Sequence, residues 1–331
     1  MPGAIVCSKS LTSYKTAKMI PPQQTTAYTI ITPSYLAHAK ALQQSYLKNN
    51  AGCNFVICVI GGRQHLPVED GYDFIFLDEV NDQRIEGMLK RYQPFELSCA
   101  LKPYYALHIF NQNPSVERLI YLDGDIHVFG KIEQQTEAAI TITPHRTRYV
   151  NYLPGLDNFS TTELLRYGVY NAGYFELLRK EESFKFLNWW AMLLEEYAYA
   201  LPDKHIFTDQ LWLSLIHSFF DDVHINKKPN YNAGFWNLIE RTVTEESGNY
   251  FVNDEPLVFY HYSRYKLELP DNMVDFEHPM LSFTNIPVLK KVYEVYRQSI
   301  LNEGYEQYKN LSYPYKNLLS TKKKKSWRFW D

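Results

Sequence analysis

The stretch RLIYLDGDIHVFG, residues 118–130, carries the decision about the fold. An apolar run from Leu119 to Leu122 ends in two aspartates one residue apart, Asp123 and Asp125, and a second apolar run begins at Ile126. Two readings compete. Asp-Gly is the commonest two-residue hairpin signal, which makes the pair a corner. Two carboxylates on one short loop can also share a divalent cation. The choice depends on what the neighbouring strands do.

Upstream, apolar strands alternate with amphipathic segments. Residues 28–32 form a short β-branched strand, followed by Leu36, Ala39, Leu42, Tyr46 and Leu47 at helical spacing. NFVICVIGG (54–62) and YDFIFLDEV (72–80) are further strands, and FELSCALKPYYALHIFNQ (95–112) is helical, with Pro103 kinking it or opening its second half. This alternation predicts an α/β domain with a mainly parallel sheet flanked by helices. In such sheets ligands bind beyond the carboxyl ends of the strands. Thr32, Pro33, Gly61, Asp78, Asp123 and Asp125 all fall at such ends and are expected to line one crevice. That favours the cation over the corner.

The second half is less regular. EAAITIT (137–143) is a strand, and LLRYGVYNAGYFELLR (164–179) is a loop-like Tyr-Asn-Ala-Gly followed by a strand. Residues 183–200 and 207–220 are helices, the second opened by Thr208 or Asp209 as N-cap. Tyr-Asn-Ala-Gly recurs at 231–234, but with different flanks it is not a repeat. The expected division is a lead-in over 1–24, a main domain over 25–284, a helical C-terminal appendage over 285–319 and a tail over 320–331.

Composition narrows the classes. The net charge of −3 argues against a nucleic-acid binder. Four cysteines with no Cys-x-x-Cys pair fit reduced thiols in the cytoplasm. No apolar run nears the roughly 20 residues of a membrane span. The tail KKKKSWRFWD (322–331) sets four lysines beside Trp327, Phe329 and Trp330. It reads either as a solvated end or as a peripheral contact with an anionic membrane through 322–330.

Three features converge on a nucleotide-sugar site. Asp123 and Asp125 suit a hard cation, Mn²⁺ or Mg²⁺. Lys102, on the preceding helix, suits a phosphate. His261, ending an apolar strand in FYHYSRY, offers a nitrogen ligand to the same ion. Together with ELSCALKP, YLDGDIHVFG, ITPH, RYGVYNAGYFELLR, FLNWW, FTDQLWL and YNAGFWNL, these residues resemble GT-A type glycosyltransferases of the nucleotide-diphospho-sugar transferase superfamily. The chain most resembles the branch of glycogenin and the bacterial lipopolysaccharide galactosyltransferases, and related uncharacterised bacterial glycosyltransferases, from about Tyr28 to about Asn317.

The resemblance implies a GT-A (Rossmann-like) fold and a set of roles. Asp123, Asp125 and His261 would hold the metal. Thr32, Tyr35, Asp78 and Lys102 would meet the nucleoside and phosphates of the donor. Asn171, Ala172 and Gly173 would contact the donor sugar, with Asp209 and Gln210 beside the reacting carbon. Gly124 would let the loop pass close under the sugar. It further implies transfer, with retention, from a nucleotide-sugar donor such as a UDP-sugar to a cell-surface or lipid-linked glycan, at the cytoplasmic membrane face. One departure stands out: the branch follows its histidine with Gly and then Lys-Pro-Trp, where HYSRYKLELP offers Arg264 and Lys266.

Bland readings remain for single residues. Asp209 could be an N-cap, Asn171 a turn-former, His261 a packed histidine and Lys102 a solvated lysine. Other activities fit less well. A sugar-phosphate nucleotidyltransferase wants a glycine-rich basic loop where TPSYLAHAK stands, and a catalytically inactive binding module has no reason to keep Asp123, Asp125 and His261.

Overall fold

The computed structural model describes residues 19–67, 70–149 and 160–319. Most of the expected lead-in, and the whole basic-aromatic tail, lie outside the described residues. A seven-stranded sheet organises the rest: β1 (Thr25–Ile31), β2 (Asn54–Val59), β3 (Asp73–Phe76), β4 (Arg118–Leu122), β6 (Ile140–Pro144), β7 (Tyr170–Leu178) and β8 (Val223–Ile225), in the order β8-β6-β7-β4-β1-β2-β3. Strand β5 (Ile126–Val128) lies outside it. All neighbours pair in parallel except at β7, which runs antiparallel to both β4 and β6. The expected mixed, mainly parallel α/β sheet is what forms.

The central strands are buried along their whole length, so TTAYTII and RLIYL read as continuous apolar runs rather than alternating ones. Two cores result, one on each face of the sheet. One holds α1 (Leu36–Asn49) together with Leu289, Val292, Tyr296 and Ile300 of α6 (Pro287–Asn302). The other holds α3 (Lys102–Gln112) and α4 (Glu181–Tyr197), centred on Trp190. The buried Arg118 Nε bonds Glu176 at 2.8 Å across β4 and β7, in the strand pair where the sheet reverses direction.

Local departures from the sequence reading have physical causes. The segment 95–112 is two helices, α2 (Pro94–Ala100) and α3, with Pro103 in the first turn of α3, where its missing N–H costs nothing. The expected helix over 207–220 is two single turns, α5 (Gln210–Leu213) and a second at Ile216–Phe219, preceded by Thr208 at φ +44°. Tyr170-Asn171-Ala172-Gly173 is not a loop but the start of β7. Among the described residues no helix is long and apolar enough to cross a membrane.

Candidate metal centre

The Asp-Gly-Asp segment is not a hairpin corner. After Leu122 the chain leaves the sheet, and β5 pairs antiparallel with β9 (Phe259–His261), His261 standing opposite Ile126. That register sets His261 beside the carboxylates. The Asp125 carbonyl accepts the Tyr262 N–H at 2.8 Å, and the Ala233 carbonyl accepts the His261 N–H at 2.8 Å, so both backbones are held.

Asp123, Asp125 and His261 offer ligand atoms that all lie within 4.8 Å of one another. His261 Nε2 is 2.9 Å from Asp125 Oδ1 and 3.8 Å from Asp123 Oδ2. The Tyr121 hydroxyl donates to Asp123 Oδ1 at 2.6 Å, and Lys102 Nζ stands 3.2 Å from the same oxygen, which leaves Oδ2 facing the cluster. Burial alone would push the His261 imidazole down, but Asp125 and then Asp123 outweigh it and its pKa is raised. Burial likewise works to raise the Asp125 carboxyl, yet the His261 ring holds it below its ordinary value. The two groups stabilise each other's charge in a place a cation would occupy. Two carboxylates and one imidazole form a mixed oxygen and nitrogen donor set, which suits Mn²⁺ better than the all-oxygen preference of Mg²⁺.

The glycine that the site requires is Gly173, not Gly124. A Cβ on Gly173 would stand 2.4 Å from His261 Cε1 and 2.8 Å from Asp123 Oδ2, whereas one on Gly124 would meet Ile31 at an ordinary 3.4 Å. Gly173→Ala should therefore push the histidine and the aspartate apart. Calorimetric Mn²⁺ titration should show binding at least about tenfold weaker, the effect expected when support around a ligand is lost.

Lys102 is buried, and its Nζ is surrounded by the Ala172 carbonyl at 3.0 Å, Asp209 Oδ2 at 2.7 Å and Asp123 Oδ1 at 3.2 Å. Burial opposes its charge, but the two carboxylates keep its pKa raised. With three acceptors around its three N–H groups, it ties Asp123 to Asp209. Asp209 takes the N-cap position of α5 without a side-chain capping bond, its carboxylate turned to Lys102 instead. Gln210 donates from Nε2 to the Tyr167 carbonyl at 2.8 Å.

The remaining expected donor contacts spread along the strand ends. Tyr35 is 43% exposed and stacks on His38 at 4.5 Å, its phenol pushed up to about 12 by its surroundings and by the Asp125 carboxylate. Ser34, Tyr35, His38 and Lys266 line a small cavity of about 80 Å³ on this side of Asp125. Thr32 leads into it, its hydroxyl 3.3 Å from that of Ser34. Asp78 is exposed at the end of β3, the outermost strand, beside Gly62. Arg264 is tied to Asp275 at 2.6 Å, whereas Lys266 is exposed on the cavity rim. A larger cavity, about 380 Å³, lies between α3 and α4 around Tyr104, His108 and Asn188, and no ligand of the cluster lines it.

Asn171 is interior: its Oδ1 accepts from Gly173 N at 3.0 Å and from Asn232 Nδ2 at 2.9 Å. Tyr121, His145 and Asn232 are the site residues that sequence reasoning missed. The doubled Tyr-Asn-Ala-Gly was the signal for Asn232.

The chain is thus a mixed α/β protein with a candidate divalent-cation site at the carboxyl edge of its sheet. No family model matches it. It is 27% identical over 178 residues to the uncharacterized protein YfnF of Bacillus subtilis, covering 52% of this chain and 57% of that one. To YfnD of the same organism it is 23% identical over 212 residues, 62% of this chain and 64% of that one. The match thus spans about three fifths of the length of these curated relatives. Among solved structures, a glycosyltransferase involved in glycosylation of the major capsid of PBCV-1 aligns at 12% identity and a TM-score of 0.41, over 73% of this chain and 94% of that one. The galactosyltransferase LgtC, in complex with donor and acceptor sugar analogues, aligns at 10% and 0.45, over 83% and 95%. The glycosyltransferase GlyE of Streptococcus pneumoniae aligns at 16% and 0.44, over 88% and 65%. Likeness at this distance assigns no role to any residue.

Proposed function

We propose that the protein is a metal-dependent glycosyltransferase that moves a sugar from a nucleotide-diphosphate donor, a UDP-sugar, to a cell-surface or lipid-linked glycan at the cytoplasmic membrane face. The observation that carries the reading is the Asp123–Asp125–His261 cluster, built at a sheet edge where ligands of α/β proteins bind. A divalent cation held there would offset negative charge growing on the leaving diphosphate. Lys266, free of the ion pair that ties Arg264, supplies the side-chain cation from the cavity rim. The exposed Tyr35 ring and Thr32 receive the nucleoside, and Asp78 marks the outer limit of the donor crevice.

Ala172 and Gly173, at the start of β7, contact the donor sugar in this reading, the glycine leaving its own Cβ space to His261 and Asp123. Asp209 holds Lys102 and through it Asp123, so its part is to fix the electrostatics beside the sugar. Gln210 presents its amide oxygen to the anomeric carbon, its nitrogen being engaged by Tyr167. Retention follows when acceptor and leaving phosphate share one face of the sugar, the phosphate oxygen assisting removal of the acceptor proton. A glycosidase layout, with two carboxylates flanking the scissile bond, is not what Asp123 and Asp125 provide on one short loop.

Titration of the full chain with a panel of nucleotide sugars in the presence of Mn²⁺ tests the reading. Tight binding of one donor and its slow hydrolysis are the expected results. No nucleotide-sugar binding with Mn²⁺ present would overturn the function, and an inverted product by NMR would overturn retention alone.

A further inference from the structure

Past α6 the chain crosses the carboxyl ends of β1, β2 and β3 in turn. Glu303 anchors the start of the crossing. The Tyr72 hydroxyl donates to its Oε2 at 3.1 Å, Lys40 Nζ stands 3.4 Å from the same oxygen, and Gln44 bonds Oε1. Gly304 follows at φ +83°, a left-handed turn that glycine takes without strain. The single helical turn Tyr305–Tyr308 then lies beyond β1, where the Tyr305 ring stands edge-on to His38 at 5.7 Å and its hydroxyl bonds Glu268. Farther on, Pro314 seats on Gly61 beyond β2: a Cβ on that glycine would stand 3.1 Å from Pro314 Cγ. Tyr315 ends the crossing beyond β3, close enough to Asp78 for that carboxylate to join burial in raising the phenol pKa.

The segment thus touches the three strand ends that the donor reading gives to the nucleoside, and the space it leaves is small. Ser34, Tyr35 and His38 on one side, with Tyr305 and Lys309 on the other, bound about 80 Å³. Sites that enclose small molecules hold roughly 300 Å³ and more. Polar atoms under the segment lack partners. His38 is 7% exposed and lines the cavity, yet its Nδ1 makes no hydrogen bond among the described residues, and the Tyr313 hydroxyl is buried without one as well. Each such atom costs the closed arrangement free energy, and the His38 nitrogen is one that a ligand in an enlarged cavity would satisfy.

We propose that residues 304–318 form an autoinhibitory strap: seated, it closes the nucleoside end of the crevice, and donor binding requires it to lift about Gly304. The nucleotide part rests on the donor reading above; the strap part does not. Two full-length variants loosen the strap from opposite ends without touching the metal cluster. Tyr305→Phe removes only the hydroxyl that bonds Glu268, and Pro314→Ala removes the ring that seats on Gly61. A closed conformation lowers apparent affinity in proportion to its population, so each variant should bind UDP with Mn²⁺ at least about threefold more tightly than wild type by calorimetry. A segment that served as a wall of the donor site would give the opposite sign, and weaker or unchanged UDP binding in both variants would overturn the proposal. Hydrogen exchange on the chain without nucleotide or metal reads the strap by itself. The amides of Lys309, Leu311, Lys316 and Leu318, each bonded to a carbonyl within the strap, should open together, and Tyr305→Phe should speed all four while leaving α1 unchanged. Acceleration confined to Lys309, or none, would also overturn it. UDP bound by none of the three proteins, with the four amides still opening together, would overturn the donor reading and the nucleotide part with it, and leave a strap that opens as a unit.

Discussion

Asp125→Ala is expected to abolish measurable Mn²⁺ binding and to reduce donor turnover by at least about 10³-fold, equivalent to about 4 kcal/mol of lost charge stabilisation. Three side chains make the cluster, and Asp125 is the one in direct contact with the histidine. Its removal takes away a full negative charge and leaves His261 with only the more distant Asp123, at 3.8 Å. The fold should survive. The Asp125 side chain is about one-third exposed, and the bond that joins this loop to β9 runs through its backbone carbonyl. Asp125→Asn, which keeps the shape and removes the charge, should fall between wild type and alanine. Calorimetric titration and donor hydrolysis check both variants. Wild-type turnover in Asp125→Ala would sink the metal reading outright.

The fold was legible because its central strands are buried on both faces, so TTAYTII, NFVICV and RLIYL stand out as apolar runs with helices between them. The carboxyl-edge crevice followed from that pattern. Non-local pairing was harder to read. Nothing near Asp125 in sequence announces that β5 abandons β4 to pair with residues 259–261, yet that register is what delivers His261 to the aspartates. Chain direction at β7 was hidden for a related reason: an antiparallel strand in a buried sheet is as apolar as its parallel neighbours. The partners of Lys102 were hidden because sequence spacing shows which helix carries a charge, not which carboxylates surround it. Gly124 and Gly173 show the same limit. Both are glycines beside the cluster, and only the three-dimensional approach of His261 separates the one with no room for a side chain from the one that has it.

Lys102→Met should have the largest effect on stability, a loss of about 3–5 kcal/mol, because removing one partner of a buried ion pair leaves the other charge uncompensated. Methionine fills most of the volume of lysine, so lost packing is a minor part of the change. What remains is Asp209, 2% exposed and 2.7 Å from the vanished cation, together with an Asp123 oxygen held only by Tyr121. Adding Asp209→Asn to Lys102→Met should restore much of the loss at pH 7, a coupling that a double-mutant cycle isolates. If Lys102→Met instead cost less than about 1 kcal/mol, the range of an exposed pair, the clamp between the metal-side aspartate and Asp209 would not be what holds this edge of the sheet together.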